Sequence, residues 1–195
     1  MNTHSFDVDK LTAFINSDNR NAIVENVIST YRGFPITEWN LAIAPTCLRY
    51  AVSVKAFTMC ISLGESEALF DFLDDSSTSV NLDIILNALC EIEAKEECEW
   101  MIALKKVMPG AVFPQSPDVA REISRRLEEE RYCDIGQSRV IADLCERSQN
   151  NKWDTYGCFH RWAVANQQFI LLDIYRRDVV NLISRTVKSA GETHC

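Results

Sequence analysis

Hydrophobic residues recur along this chain at a period near 3.6, a spacing that suits helices and little else. The cleanest stretch is Leu82, Ile85, Leu86, Leu89 and Ile92, which places its apolar side chains along one helix face. Ile23, Val24, Val27, Ile28 and Tyr31 repeat the pattern and run into Gly33, a natural C-terminal cap. Six glycines and five prolines in 195 residues favour long helices over short strands and turns.

Start and stop signals divide the pattern into elements. Asp7 or Asp9 caps a first short helix with Leu11, Phe14 and Ile15. Thr37 caps the helix of Trp39 and Ile43. Pro45 kinks that helix or opens a new one through Leu48, Val52, Phe57 and Ile61 that stops at Gly64. A short helix is expected over 65–75, then a Ser-rich turn at 76–79. A helix over 96–108 is halted by Pro109-Gly110. Ser116-Pro117-Asp118 combines a cap, a first-turn proline and a first-turn acid ahead of Val119, Ile123 and Leu127. One more helix spans 136–148. The polar run 149–152 then leads into a long last helix over 155–188, with Trp162, Phe169, Leu172, Val179 and Ile183 on one side. The expected fold is all-α, a compact multi-helix bundle of about seven to nine helices with a long C-terminal helix. Residues 1–195 read as one helical domain, with a minor boundary near 149–153.

A membrane span needs roughly 18 consecutive apolar residues. The longest candidate, Leu41 to Leu63, is broken by Pro45, Arg49 and Lys55. The first ten residues lack a charged region followed by an apolar one, so the expected location is cytoplasmic. Cys47, Cys60, Cys90, Cys98, Cys133, Cys145, Cys158 and Cys195 are scattered, with no pair at the two-to-four residue separation of zinc sites. They are expected to be reduced and structural, and neither a metal nor a cofactor is expected.

Charge is the least uniform property of the sequence. The formal net charge is −8, yet residues 65–99 hold eleven acids and a single base, Lys95, for a local charge of −10. On helices, Glu67, Asp71, Asp74 and Asp75 share one edge, and Glu93, Glu96 and Glu97 are i, i+3, i+4 neighbours. Such rows space carboxylates by about 4.5–6 Å, comparable to successive phosphates of a nucleic-acid strand. Like charges at this spacing cost a helix a few tenths of a kcal/mol per pair. They repel nucleic acid and speed encounter with a basic partner. The alternative is a solvated face, neutralised when folding brings Arg121, Arg125, Arg126 or Arg176 alongside.

Catalytic signatures are sparse. The chain has no phosphate-binding glycine loop and no GxSxG or HExxH motif. Cys158 and His160 are close in sequence, but positions i and i+2 of a helix point apart. Trp153, Tyr156, Phe159 and Trp162 read as core aromatics rather than a pocket lining.

Leu48-Arg49-Tyr50-Ala51-Val52, Gly64 followed by Leu69-Phe70, Glu91-Ile92-Glu93-Ala94 and Met108-Pro109 follow one another in a recognisable order. Over Trp39 to Arg131 this order resembles a bacterial domain family of unknown function that includes an acidic DNA-mimic protein. The chain departs from that pattern at Gly64, where one glycine replaces a pair, and at Ser66 and Phe72. The resemblance implies an all-helical fold and an acidic surface for a nucleic-acid-binding protein. The expected function is therefore a non-enzymatic binding protein. Glu67, Asp71, Asp74, Asp75, Glu93, Glu96 and Glu97 would dock on a basic, nucleic-acid-binding protein, without direct nucleic-acid or membrane contact. The alternative is a helical scaffold or oligomerisation module, with the C-terminal helix pairing in a homodimer.

Overall fold

The structure is a computed structural model that describes residues 20–30, 41–61, 68–75, 78, 81–131, 136–150 and 152–170. It is helical over 84% of these, with no strand among them. Eight α-helices lie wholly within the described residues: α1 Arg20–Thr30, α2 Thr46–Ile61, α3 Ala68–Asp74, α4 Leu82–Glu91, α5 Lys95–Val107, α6 Pro117–Glu130, α7 Gln137–Gln149 and α8 Thr155–Ala165. Two short 3-10 turns, Leu41–Ile43 and Pro109–Ala111, join them. Among the described residues no helix is long and apolar enough to cross a membrane.

The centre of the fold is α2, whose sequence is apolar on several sides. Cys47, Leu48, Ala51, Val52, Val54, Phe57 and Ile61 are all buried, and α1, α3, α4 and α8 pack around the helix. A helix surrounded in this way keeps only a narrow solvent-facing edge, at Arg49, Lys55 and Met59. Pro45 starts it rather than kinking it, since the Arg49 amide donates to the Pro45 carbonyl at 2.9 Å. The predicted stripe of α4 is buried in full, from Leu82 to Ile92.

A second layer is built from α5, α6 and α7. Trp100 of α5 is fully buried and donates its indole N–H to the Leu144 carbonyl of α7 at 3.0 Å. Its ring meets Phe57, Phe72 and Trp153 at centroid distances of 6.0, 6.4 and 6.0 Å, mostly edge to face. The α5 helix ends where Pro109-Gly110 predicts, with Met108 extended and Gly110 at φ +64°. Ser116 caps α6 as its sequence predicts, accepting from the Val119 amide at 3.4 Å.

Asp154 caps α8 by accepting from the Gly157 amide at 3.1 Å. A Cβ at position 157 would meet that carboxylate, so a larger residue there would need the Asp154 side chain to move. The α8 helix closes at Ala165 against Asn166, and helical residues resume at 167–170. The remainder of the expected C-terminal helix, and the expected first helix near Leu11, lie outside the described residues. The predicted core role of the late aromatics is realised. Phe159 is buried, with Trp153, Tyr156 and Trp162 packed against the core.

One sequence expectation is corrected. Cys145 and Cys158 are free and buried, Cys60 is free and half-buried and Cys47 is buried, but Cys90 and Cys98 form a disulfide. The turn between α4 and α5 folds back so tightly that their Cα atoms stand 5.3 Å apart, inside the range a disulfide needs.

Candidate acidic interface

The acidic segment does not form one continuous face. It divides into two groups set by different helices. In α3, Ala68, Leu69, Phe70, Phe72 and Leu73 turn inward, which leaves Asp71 and Asp74 exposed. Asp75 follows the helix and is also exposed. Its carboxylate accepts from the Thr78 amide at 3.1 Å, closing the turn after α3. Burial pushes the Cys60 thiol at the end of α2 up to about 11, and the charges of Asp75 and Asp71 push in the same direction. This group therefore stands at the C-terminal end of α2.

The second group surrounds the α4–α5 turn. The Ala94 amide donates back to the Leu89 carbonyl at 2.9 Å, and the Glu93 amide to the Cys90 carbonyl at 3.1 Å. This is a Schellman ending, which requires a left-handed residue at the position Glu93 occupies. Glu93 has φ +60°, and glycine would be the ordinary choice there. Ala94 is buried beneath the turn, while Glu91, Glu93, Glu96 and Glu99 project from it, all exposed. Burial, followed by the charge of Glu91, raises the Tyr50 hydroxyl against the opposing effect of Arg49. Tyr50 is near the N-terminal end of α2, so Glu91 lies toward the opposite end of that helix from Asp71 and Asp75. Ten helical residues separate Tyr50 from Cys60, about 15 Å along the axis.

Glu97 departs from the expected acidic row. It is only 3% exposed and accepts a hydrogen bond from the Thr155 hydroxyl at 2.8 Å. Burial raises its pKa above the ordinary carboxylate range, with smaller upward pushes from Glu96 and Asp154. The sequence holds a signal for this burial. Glu97 sits three, four and seven positions before Trp100, Met101 and Leu104, so it occupies a core position of α5. Glu67 lies outside the described residues.

The arginines that a solvated acidic face would need are engaged elsewhere. Arg121 pairs with Asp118, Arg125 with Glu122 and Glu129, and Arg126 with Glu130, all along α6 itself. Arg176 lies outside the described residues. Within residues 65–99 the one ion pair formed among the described residues joins Asp83 to Lys105 at 2.6 Å.

No family model, curated protein or solved structure matches the chain.

Other candidate sites are less developed. The Cys158 thiol is buried and pushed up by that burial, and next by the charge of Glu97, although Arg161 stands 3.1 Å from its sulfur. A nucleophilic cysteine needs a shift in the other direction. Among the described residues no group of three or more His, Cys, Asp or Glu is arranged to hold a metal ion. Two concavities were not foreseen from the sequence. One, of about 680 Å³, runs between the loop after α5 and α6, lined by Val112, Phe113, Pro114, Val119 and Ile123. The other, of about 270 Å³, lies between the α4–α5 turn and α8, with Glu97 and Cys158 on its wall.

Proposed function

We propose that this chain is a non-enzymatic acidic binding protein that docks on a basic, nucleic-acid-binding protein and inhibits or regulates it. One observation carries the reading. Asp71, Asp74, Glu91, Glu93, Glu96 and Glu99 are exposed and form no ion pair among the described residues, while the arginines of α6 are paired within their own helix. Two groups of carboxylates without ion pairs among the described residues raise the encounter rate with a cationic surface and repel nucleic acid from the faces they occupy. The resemblance to the acidic DNA-mimic family leads to the same partner class. Glu97 belongs to the core in this reading, and the contact residues are the exposed acids on either side of it.

The test compares the native chain with the Asp71→Asn, Asp74→Asn, Glu93→Gln, Glu96→Gln variant, after circular dichroism shows both equally folded. Each is immobilised and exposed to host lysate at low salt. The expected result is a nucleic-acid-binding protein held by the native chain and bound about tenfold or more weakly by the variant. Added duplex DNA should strip it, because the two compete for one basic surface. Salt should do the same, since the screening length falls from about 10 Å at 0.1 M to about 3 Å at 1 M. Equal retention by both chains, untouched by DNA, would reject the reading in favour of a helical scaffold.

A further inference from the structure

The exposed acids of the α4–α5 turn are held by a covalent bond. Cys90 sits in the last turn of α4 and Cys98 in the first turns of α5. Their disulfide closes a loop containing Glu91, Glu93 and Glu96. Three residues, Ile92 to Ala94, reverse the chain there, and Glu93 does so in the left-handed region that a residue with a Cβ disfavours. A turn formed against local preference relies on constraints from elsewhere to persist. Buried Ala94 is one such constraint and the disulfide is the other.

The bond is also open to attack. Cys90 is exposed and Cys98 half-buried, whereas Cys47, Cys145 and Cys158 are buried and Cys60 is half-buried. Thiol–disulfide exchange requires access to one sulfur of the bond.

We propose that Cys90–Cys98 is a redox-controlled staple: closed, it presents the turn's acids as one rigid group, and a dithiol reductant opens it. A thiolate of the dithiol attacks the Cys90 sulfur, forming a mixed disulfide and releasing Cys98, which takes up a proton. The second thiol of the reductant then attacks its own sulfur in the mixed bond and frees Cys90. Two electrons and two protons pass from the dithiol to the cystine, and the reductant leaves as its own disulfide. The functional consequence rests on the acidic-binding reading above, but the staple itself does not.

The experiment separates the two. The full chain is prepared oxidised, treated with dithiothreitol, and also made as the Cys90→Ser, Cys98→Ser variant. Amide hydrogen exchange is followed at Glu93 and Ala94, and affinity is measured for a fluorescent octalysine probe. Reduction should speed exchange at those two amides about tenfold or more, leave the buried Phe57 amide of α2 unchanged, and weaken probe binding several-fold. The double-serine variant should match the reduced chain and ignore dithiothreitol. Equal exchange in the oxidised and reduced chains would overturn the proposal. So would alkylation of both cysteines in chain that has been treated with oxidised glutathione. If the oxidised chain binds octalysine no better than the four-amide variant, the acidic-binding reading fails, and the exchange data still decide the staple.

Discussion

Thr155 donates its hydroxyl hydrogen bond to Glu97 across 58 residues of sequence, joining the first turn of α8 to the first turn of α5. The acceptor is a carboxylate in a place suited to an apolar side chain. Burial raises Glu97, so the fold binds its proton more tightly than the unfolded chain does. The group's favourable contribution is then complete at acid pH, below the unfolded value, and declines as pH rises through the folded one. Glu97→Gln keeps an acceptor for Thr155 and removes the charge. It should melt above the native chain at pH 7, with the gain disappearing near pH 3, below the ordinary glutamate value of about 4.3, where the carboxyl is protonated in both states. Calorimetric scans at the two pH values would decide this, and a pH-independent difference would refute it. Thr155→Val, which leaves the carboxylate without its donor, should cost roughly 1–3 kcal/mol.

Trp100 combines a fully buried ring with a hydrogen bond to Leu144. Trp100→Phe removes ring volume from among Phe57, Phe72 and Trp153 and leaves the Leu144 carbonyl without that donor. The expected loss is about 2–4 kcal/mol in urea denaturation, from the cavity and the lost hydrogen bond together. A loss under 1 kcal/mol would show that α5 and α7 can repack without this contact.

Ser53 of α2 is fully buried, and its hydroxyl makes no hydrogen bond among the described residues. Ser53→Ala deletes an unsatisfied polar atom and improves helix propensity in the same step. Stability should rise by about 1 kcal/mol, read as a shift in denaturation midpoint without change of slope. Destabilisation would mean that the hydroxyl has a partner.

At the strained turn, Glu93→Gly should stabilise the fold by roughly 0.5–1 kcal/mol, because glycine adopts the left-handed conformation without a Cβ clash. Thermal melts of the two chains measure it. A lower melting temperature for the glycine variant would show that the glutamate side chain contributes more than its backbone costs.

Much of this fold was legible wherever a local rule governed it. Ser116-Pro117 opens α6 and Pro109-Gly110 closes α5, since capping and backbone restriction act within a few residues. The α6 ion pairs also follow helical spacing, with Arg121, Arg125 and Arg126 three or four residues from their acids. The disulfide was not legible. Cys90 and Cys98 are eight residues apart, and the turn that joins them has a glutamate where glycine would signal it. Nor was the separation of the acids into two groups, because sequence proximity between Asp75 and Glu91 hides the length of α2 lying between them. Glu97 was legible in principle. Counting its charge with its neighbours obscured a core position that the Trp100 and Leu104 spacing marks.

On the proposed acidic-binding reading, the placement of Asp71 and Asp74 toward one end of α2 and Glu91 toward the other would make the molecule a bivalent ligand. With the helix between them as a rigid spacer, engaging one group would hold the other at a high effective concentration only for a partner whose cationic sites match that separation. A compact basic peptide would touch one end at a time and leave quickly, whereas an extended cationic groove would hold both. The helix acts as a ruler, and selectivity would come from length as much as from charge.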